Sequence, residues 1–271
     1  MIDYDQLESG LEHYSTKFQN CTPLPNHLVV DDFLETSVAE RAFEVFPKMG
    51  EMDVLRDYRQ EKAQDPDIQK FDPLFQEIIF KHLHSERLVS LLSEISGIKN
   101  LKPDPQLYAA GLAQGADRSF LNVHLDNSSH PVKKWYRRLN LLIYLNANWN
   151  EEKGGHFELW SDDLKESTAI LPAFNRMLLF ATNRTSWHGY RRVNTPDGDT
   201  RKSINIYYFS EESPDGTDYY HVTTFRARPD ETLNKVVYPL DNLARTVARK
   251  LRPNKDSHAV LYGEAEDKSG K

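Results

Sequence analysis

The sequence is poor in features that mark secreted or membrane proteins. Its 271 residues include a single cysteine, Cys21, so no disulfide can form within the chain. This predicts a reducing compartment, because disulfides belong to oxidising ones. No apolar run approaches the roughly 18 residues that a membrane helix requires, and the N-terminus lacks the basic and apolar regions of a signal peptide. We therefore expect a cytoplasmic protein with no membrane partner.

The chain also has fewer basic residues than acidic ones. The chain has 34 Lys and Arg against 41 Asp and Glu, which gives a formal net charge of −7. A negatively charged chain has little general affinity for phosphate backbones, so we expect no nucleic-acid partner. At this length one large domain can bury a substantial core. An enzyme or a binding protein is the class that remains, and the sequence leaves its oligomeric state open.

Residues 1–104 are predicted to form a mostly helical lead-in. Residues 27–34 are typical of a short strand and turn, and a capping box at 37–40 predicts the start of a helix. A further helix is predicted within 74–95. Residues 48–73 are charged and poorly periodic, which indicates a mobile connection that is either a solvated loop or a lid. Helical spacing of apolar residues also predicts an N-terminal helix that carries Leu7, Leu11, Tyr14 and Phe18.

Residues 105–210 are predicted to form the catalytic core. Short apolar runs separated by Gly, Pro, Asn and Asp favour a sandwich or barrel over a parallel α/β sheet. Residues 211–253 are predicted to be an extension with a helix from about Pro239, and 254–271 a frayed polar tail. The simplest organisation is a single domain, 1–271. The strand-like runs are 139–145, 157–160, 168–171, 177–180 and 203–209.

A possible metal site begins with the triplet His124-Leu-Asp126. Residues two apart in a strand point to the same face, so this imidazole and carboxylate can converge on one point. A second imidazole from a distant strand, His188, would complete a set of two histidines and one carboxylate. That set leaves positions open on the metal and suits non-haem Fe(II) chemistry.

A polar strand face follows the second histidine. Residues 201–209 read as a strand in which Arg201, Ser203, Asn205 and Tyr207 share one face. A polar face that begins with an arginine is expected to look into a cavity that holds an anion, because a guanidinium binds a carboxylate through two parallel hydrogen bonds. A metal site beside such a clamp suggests a keto-acid co-substrate that bridges the two.

With these residues the chain resembles the Fe(II)- and 2-oxoglutarate-dependent dioxygenases, in their prolyl-4-hydroxylase-like branch. The resemblance covers roughly residues 105–210. It implies a mainly β (α+β) fold, a double-stranded β-helix or jelly roll with helices packed on one sheet and a helical N-terminal layer. The motifs that carry it are His124-Leu-Asp126-Asn127, Leu142-Ile-Tyr-Leu-Asn146 with Trp149, Gly154-Gly155, Ile170-Leu-Pro-Ala-Phe-Asn-Arg176, Leu178-Leu-Phe180, Trp187-His188 and Arg201-Lys-Ser-Ile-Asn-Ile-Tyr-Tyr-Phe209.

The resemblance also implies an activity and a set of site residues. It implies that Arg201 and Tyr144 bind the distal carboxylate of 2-oxoglutarate and that Asn205 adjoins this co-substrate. Fe(II), 2-oxoglutarate and O2 are the implied cofactors, with ascorbate as a candidate reductant. The implied reaction hydroxylates an unactivated C–H of a prolyl residue, or of an amino-acid-like or other polar small molecule, and releases succinate and CO2. The implied catalytic iron ligands are His124, Asp126 and His188.

Two other classes of protein stay open. The first is a non-catalytic jelly roll that binds a metal or ligand, although such a protein has no need of all four charged or metal-binding residues. The second is a cupin-type dioxygenase that uses no keto acid. Whether the substrate is a small molecule or a peptide or protein segment is also left open, because a fold does not select a substrate.

Several other residues near the motif are assigned weaker roles. His130 and His156 are interpreted as structural, and Gly154-Gly155 as a strand-turn requirement. The basic, aromatic stretch Lys133–Arg138 is either an entrance for an anionic substrate or an exposed loop that caps the barrel. Tyr219–His221 either lines the substrate side or packs.

Overall fold

A computed structural model of the protein describes residues 1–217 and 221–251, the side chains of 248–251 excepted. The predicted tail at 254–271 lies outside these residues, as do Tyr219 and Tyr220. None of the helices in the described ranges has the length and apolar run that crossing a membrane needs. The helices are α1 (Tyr4–Ser9), α2 (Leu11–Gln19), α3 (Thr36–Glu44), α4 (Pro73–Gln76), α5 (Glu86–Ser96) and α6 (Asn234–Leu251), with a π-helix at Glu77–Leu83 and 3-10 turns at Met49–Glu51, Ile68–Lys70 and Glu151–Lys153.

Thirteen strands form one antiparallel sheet that curls into a half-barrel. Its main path runs β1-β10-β7-β12-β5-β3-β6-β11-β8-β9, and β2, β4 and β13 pair at the sides of this path. The predicted mainly β architecture with flanking helices is confirmed. The strands are β1 (His27–Val30), β2 (Val54–Arg56), β3 (Gln60–Asp65), β4 (Lys102–Pro103), β5 (Gly111–Gly115), β6 (Phe120–Leu125), β7 (Tyr136–Tyr144), β8 (Phe157–Trp160), β9 (Ser167–Ile170), β10 (Arg176–Ala181), β11 (Trp187–Tyr190), β12 (Arg201–Ser210) and β13 (Thr224–Phe225).

Strand β7 shows how the two faces of the sheet are used. Leu139, Leu141 and Ile143 belong to the large apolar core shared with the helices. Leu142 and Tyr144, which alternate with them, belong to a smaller cluster inside the roll. The helices therefore cover the outer face of this part of the sheet, and the inner face is left for a site.

The inner cluster closes the roll. Phe157 and Leu159 of β8 and Ile170 of β9 pack against the side chains of β7 and β10 across the interior. All of these residues are buried. Apolar side chains are buried on both facing walls of the roll, and this burial stabilises the curled sheet. An open, flat sheet would leave the same side chains exposed.

The lead-in contributes strands as well as helices. β1 pairs with β10, with His27 opposite Phe180. Residues 48–73, expected to be a loop or lid, instead contain the β2–β3 hairpin, and β3 bridges β5 and β6. The sequence of β3, Gln60–Asp65, is polar at almost every position, so it lacks the apolar alternation by which strands are recognised.

The helical segment predicted within 74–95 is present as α4, the π-helix and α5, whereas one predicted helix cap is wrong. Ser85 caps α5 by accepting a hydrogen bond from the Leu88 amide at 3.2 Å, and Gly97 ends that helix in the left-handed conformation. The capping box predicted at 37–40 is wrong. The cap residue of α3 is Glu35, and its side chain makes no capping hydrogen bond.

The last helix begins earlier than predicted. α6 begins at Asn234, so Pro239 lies inside it rather than at its start. The Asn242 side chain ties the helix to β13, since it accepts from the Phe225 amide at 3.0 Å and donates to the Phe225 carbonyl at 2.7 Å. Three apolar residues of this helix are largely exposed, namely Leu240, Leu243 and Val247.

One buried amide joins the lead-in to the sheet. Asn175, which is 1% exposed, accepts from the Leu34 amide at 2.9 Å and donates to the Leu34 carbonyl at 2.7 Å. Its own carbonyl accepts from the Phe33 amide at 3.1 Å. This side chain therefore satisfies two backbone groups that would otherwise be buried without partners.

We predict that Asn175→Ala lowers the free energy of unfolding by about 2–4 kcal/mol, because two buried backbone groups lose their partners. Urea denaturation followed by circular dichroism measures the change. The control is Asn20→Ala, whose exposed side chain donates only to the Thr16 carbonyl, and we expect it to cost less than about 1 kcal/mol. Equal losses in the two variants would contradict the assigned role.

Candidate active site

The three predicted metal ligands meet at one point inside the roll. His124 of β6 lies directly opposite His188 of β11 in the ladder, and their ring centroids are 4.3 Å apart. Asp126 follows β6, with its Oδ1 3.5 Å from His124 Nε2 and its Oδ2 3.6 Å from His188 Nε2. One ligand atom from each residue lies within 4.8 Å of the others, which is a separation that a single metal ion can span.

Backbone carbonyls fix the orientation of both imidazoles. The Nδ1–H of His124 donates to the Asn122 carbonyl at 2.9 Å, and the Nδ1–H of His188 donates to the Ser186 carbonyl at 2.8 Å. A carbonyl only accepts, so the proton sits on Nδ1 and each Nε2 keeps its lone pair. Both lone pairs are therefore available at the point where the carboxylate arrives.

Burial sets the protonation states that a metal requires. It lowers the pKa of His188 to about 3, with a further contribution from His124, so His188 is neutral. For Asp126 burial acts to raise the pKa, but the Arg137 guanidinium is foremost among the groups that hold it well below its usual range. Neutral imidazole and ionised carboxylate are the forms that bind metal.

Arg137 and Asn140 hold the carboxylate from behind. Arg137 Nη1 lies 3.0 Å from Asp126 Oδ2, and Asn140 Nδ2 donates to the same oxygen at 2.7 Å. Arg137 is 2% exposed and lies over the Tyr207 ring at 4.0 Å. Both partners bond to Oδ2, so Oδ1 is the oxygen left for a ligand. Sequence reasoning did not find this support, because it placed Arg137 in an undivided basic loop.

That basic stretch, Lys133–Arg138, does not act as one surface. Lys133 Nζ pairs with buried Asp104 at 3.1 Å, and Arg138 donates to the Glu212 carbonyl at 2.7 Å. Arg137 points inward instead. Neither of the two predicted roles, entrance or cap, describes the stretch as a whole.

Arg201 opens β12 at the other end of the interior. It is 5% exposed, its Nε donates to the Gly155 carbonyl at 2.7 Å, and its Nη2 donates to the Tyr144 hydroxyl at 3.3 Å. The guanidinium lies over the Tyr190 ring at 4.3 Å. It makes no ion pair with any residue that the structure describes. A buried cation of this kind is suited to an incoming carboxylate.

The residues that follow Arg201 share its face, as predicted. Ser203 pairs with Tyr144, and Asn205 pairs with Leu142, so all four side chains line the interior. Asn205 is 8% exposed, and its Oδ1 has no hydrogen-bond partner among the residues that the structure describes. An unsatisfied acceptor beside a buried arginine indicates a place for a polar ligand.

Gly155 shapes the arginine pocket. Its φ is +65°, and a Cβ there would lie 2.9 Å from Val193 Cγ2 and 3.0 Å from Arg201 Cδ. The strand-turn requirement predicted for Gly154-Gly155 agrees with their positive φ values. Close approach to Arg201 is an additional reason for glycine that the sequence did not reveal.

Aromatic rings enclose the imidazoles. Phe157 stacks on His188 at 5.5 Å, and the Phe180 ring lies 4.8 Å from it. Phe225 of β13 stacks on His124 at 5.4 Å. These contacts fix the ring planes and keep water from the apolar side of the ligands. Phe225 was not predicted, because it lies outside the core motifs in the C-terminal extension.

The two histidines interpreted as structural make structural contacts. His130 Nε2 lies 3.3 Å from Asp104 Oδ2, while its Nδ1 accepts from the Lys133 amide at 3.1 Å. His156 Nε2 lies 2.7 Å from Glu151 Oε2 at the surface. Neither residue belongs to the metal cluster. Of the predicted stretch Tyr219–His221 only His221 is described, and its amide donates to Ser128 Oγ at 3.0 Å.

A jelly-roll interior that combines two histidines, one carboxylate and a buried unpaired arginine defines a class of metal-dependent oxygenases. Residues 110–209 match the model of the 2OG-Fe(II) oxygenase superfamily. The protein is accordingly a 2-oxoglutarate-dependent dioxygenase that uses Fe(II), 2-oxoglutarate and O2. None of the curated proteins matches the chain in sequence.

Solved structures share the fold. A prolyl hydroxylase from Trichoplax adhaerens, in complex with a hypoxia inducible factor peptide fragment, is 20% identical with a TM-score of 0.54, over 76% of this chain and 93% of that one. A prolyl-4-hydroxylase from Pseudomonas putida is 16% identical with a TM-score of 0.51, over 75% and 98%. One from Phytophthora capsici is 15% identical with a TM-score of 0.55, over 97% and 84%. The predicted double-stranded β-helix is confirmed.

We predict that Mn(II) raises the Tm of the wild-type protein and does not raise that of His188→Ala. A ligand that binds only the folded state stabilises it by about 2.7 kcal/mol at 100 times its Kd. His188 is a cleaner target than Asp126, whose removal would leave Arg137 buried without a partner. His156→Ala serves as the matched control and should keep the metal response. An unchanged response in His188→Ala would contradict the cluster.

Proposed function

We propose that this protein hydroxylates an unactivated C–H bond, in a prolyl residue or in an amino-acid-like or other polar small molecule, with succinate and CO2 as co-products. The observation that carries the proposal is a single interior that holds a metal-ligand cluster at one end and a buried arginine without an ion pair, Arg201, at the other. A short keto acid with two carboxylates suits that arrangement. A cytoplasmic location stays a prediction, as does the division of the chain into a single domain with the predicted boundaries.

In this proposal His124, Asp126 and His188 hold Fe(II), and they are the catalytic ligands. The donor set supports it, since two imidazole Nε2 atoms and one carboxylate oxygen leave open positions on an iron. Bound Fe(II), with O2 and the keto acid, supplies the oxidising power for the C–H bond. The chain's own task is to keep these three side chains in one orientation, through Asn122, Ser186 and the partners of Asp126.

Arg201 and Tyr144 would bind the distal carboxylate of 2-oxoglutarate. Burial raises the pKa of Tyr144 to about 12, so its hydroxyl stays protonated and can donate. Arg201 is already fixed by the Gly155 carbonyl and by two aromatic rings, so little side-chain entropy is lost on binding. Asn205, with its unpartnered Oδ1, would adjoin the co-substrate.

The substrate is supported only as a class. The Trichoplax relative binds a peptide fragment, which makes a prolyl residue of a peptide a reasonable candidate for this chain.

We predict that anaerobic titration of the Fe(II)-loaded protein with 2-oxoglutarate gives the weak visible charge-transfer band of an iron-chelated keto acid. Arg201→Ala should weaken co-substrate binding roughly 100-fold, because hydrogen bonds to charged groups contribute about 1.5–3 kcal/mol each. Arg192→Ala is the matched control, since that arginine is exposed and donates only to the Arg118 carbonyl. Iron binding without the band would favour a metal-binding barrel or a cupin-type enzyme.

We also predict that Gly155→Ala raises the Kd for 2-oxoglutarate at least about tenfold, because the added Cβ displaces Arg201, on which two charge-assisted hydrogen bonds depend. Isothermal titration of the Mn(II)-loaded protein measures the Kd. Gly198→Ala is the control that distinguishes backbone strain from steric contact of the added Cβ. Gly198 also has a positive φ, +93°, but a Cβ added there would have nothing within 4 Å. Equal effects in the two variants would show that strain alone is responsible.

A further inference from the structure

Lys62 of β3 faces the interior of the roll. Its neighbour Ala63 belongs to the large core beneath the helices, together with Leu112 and Ile204. Residues alternate across a strand, so Lys62 and Gln64 lie on the opposite, inner face. The register agrees, because Gln64 pairs with Ala113, and Ala113 pairs with Ser203 on the Arg201 face.

The strand between Lys62 and Arg201 carries only small inner residues. β5 presents Gly111, Ala113 and Gly115 on that face, opposite Asn205, Ser203 and Arg201 in turn. No side chain longer than a methyl group therefore separates β3 from β12 across β5. This gap leaves room for a long side chain from β3 to extend toward the site.

The Lys62 ammonium interacts electrostatically with charged residues of the site. Burial lowers the pKa of Lys62 to about 8, the charge of Asp126 opposes this shift, and the charges of Arg201 and Arg137 add to it. Lys62 therefore shares the interior of the roll with the metal-ligand carboxylate and the arginine. The space between these two residues is the space that the keto acid would occupy.

The charges of the interior are unbalanced. The Asp126 carboxylate is already paired with Arg137 at 3.0 Å. Lys62 donates to Gln64 Oε1 at 2.7 Å, and across residues 1–217 and 221–251 it makes no ion pair. An ammonium has three N–H donors, so two are left for a ligand. Lys62 and Arg201 are then two interior cations that lack anions, and a dicarboxylate supplies two.

We propose that Lys62 is a second co-substrate-binding residue, whose ammonium donates to the 2-oxoglutarate carboxylate at the metal end while Arg201 binds the carboxylate at the other end. The proposal rests on the proposed function and adds a residue to its co-substrate site. A carboxylate of the primary substrate has the same chemistry, and the experiment separates the two sources.

The test is the Kd of the Mn(II)-loaded protein for 2-oxoglutarate, measured by anaerobic isothermal titration. Lys62→Met should raise this Kd about tenfold to a hundredfold, the range that a charge-assisted hydrogen bond gives. Lys62→Arg should restore most of the affinity, and the Kd for Mn(II) itself should not change. The matched control is Lys202→Met, because Lys202 neighbours Arg201 but lies on the outer face over the Phe43 ring.

A second keto acid shows which carboxylate of the co-substrate Lys62 binds. 2-Oxopentanoate keeps the metal-end carboxylate and lacks the distal one. Lys62→Met should weaken the binding of 2-oxopentanoate and of 2-oxoglutarate by the same factor. Arg201→Ala should weaken only the binding of 2-oxoglutarate. A loss in Lys62→Met that is confined to 2-oxoglutarate would overturn the assignment to the metal end.

The remaining outcomes are also decisive. If Lys62→Met binds both keto acids as the wild type does, the proposal is wrong and the lysine serves another anion, such as a carboxylate of the primary substrate. In that case the proposed function stands, because the wild type still binds 2-oxoglutarate. Failure of the wild type to bind 2-oxoglutarate at all would instead remove the proposed function, and the role of Lys62 with it.

Discussion

The antiparallel pairing of β6 with β11 is the constraint on which the site depends. It sets His124 directly opposite His188, and the register shifts before the next inward pair, Tyr190 with Leu121. Because the partner moves three residues along β6 while β11 advances two, β6 carries a bulge. His188 and Tyr190 therefore both face inward, and the Tyr190 ring reaches Arg201 at 4.3 Å. One irregularity in one ladder thus links the metal cluster to the arginine pocket.

The interior concentrates positive charge in a chain that is acidic overall. Three cationic side chains, Lys62, Arg137 and Arg201, face the interior, and only Arg137 pairs with the Asp126 carboxylate, whereas the whole chain has a net charge of −7. Burying cations is costly unless partners compensate. Aromatic faces supply part of the compensation, since Arg137 lies over Tyr207 at 4.0 Å. The rest is left for a ligand, which is how a buried site obtains affinity for an anion without attracting anions to the surface.

The sequence predicts those parts of the fold and of the site that a local pattern of residues encodes. The His124-Leu-Asp126 spacing and the polar face led by Arg201 are local, and the structure brings these residues together as expected. The β8 strand, Phe157–Trp160, is apolar at three of its four positions and was predicted with the bounds observed. Lys62 was missed because β3 has a polar inner face and no apolar alternation, so it reads as a loop. Its place is set by pairing with β5 and β6, which no local pattern encodes.

The small residues of β5 show why fold and site cannot be separated here. A Cβ at Gly111 would overlap the Asp65 carbonyl oxygen of β3, and one at Gly115 would overlap Ser119 Oγ beside Tyr190. Glycine at position 111 lets β3 approach β5 closely, and β3 continues the sheet toward β6. The same absence of side chains keeps the inner face open between Lys62 and Arg201. The small residues of β5 therefore serve both the pairing with β3 and the open inner face between Lys62 and Arg201.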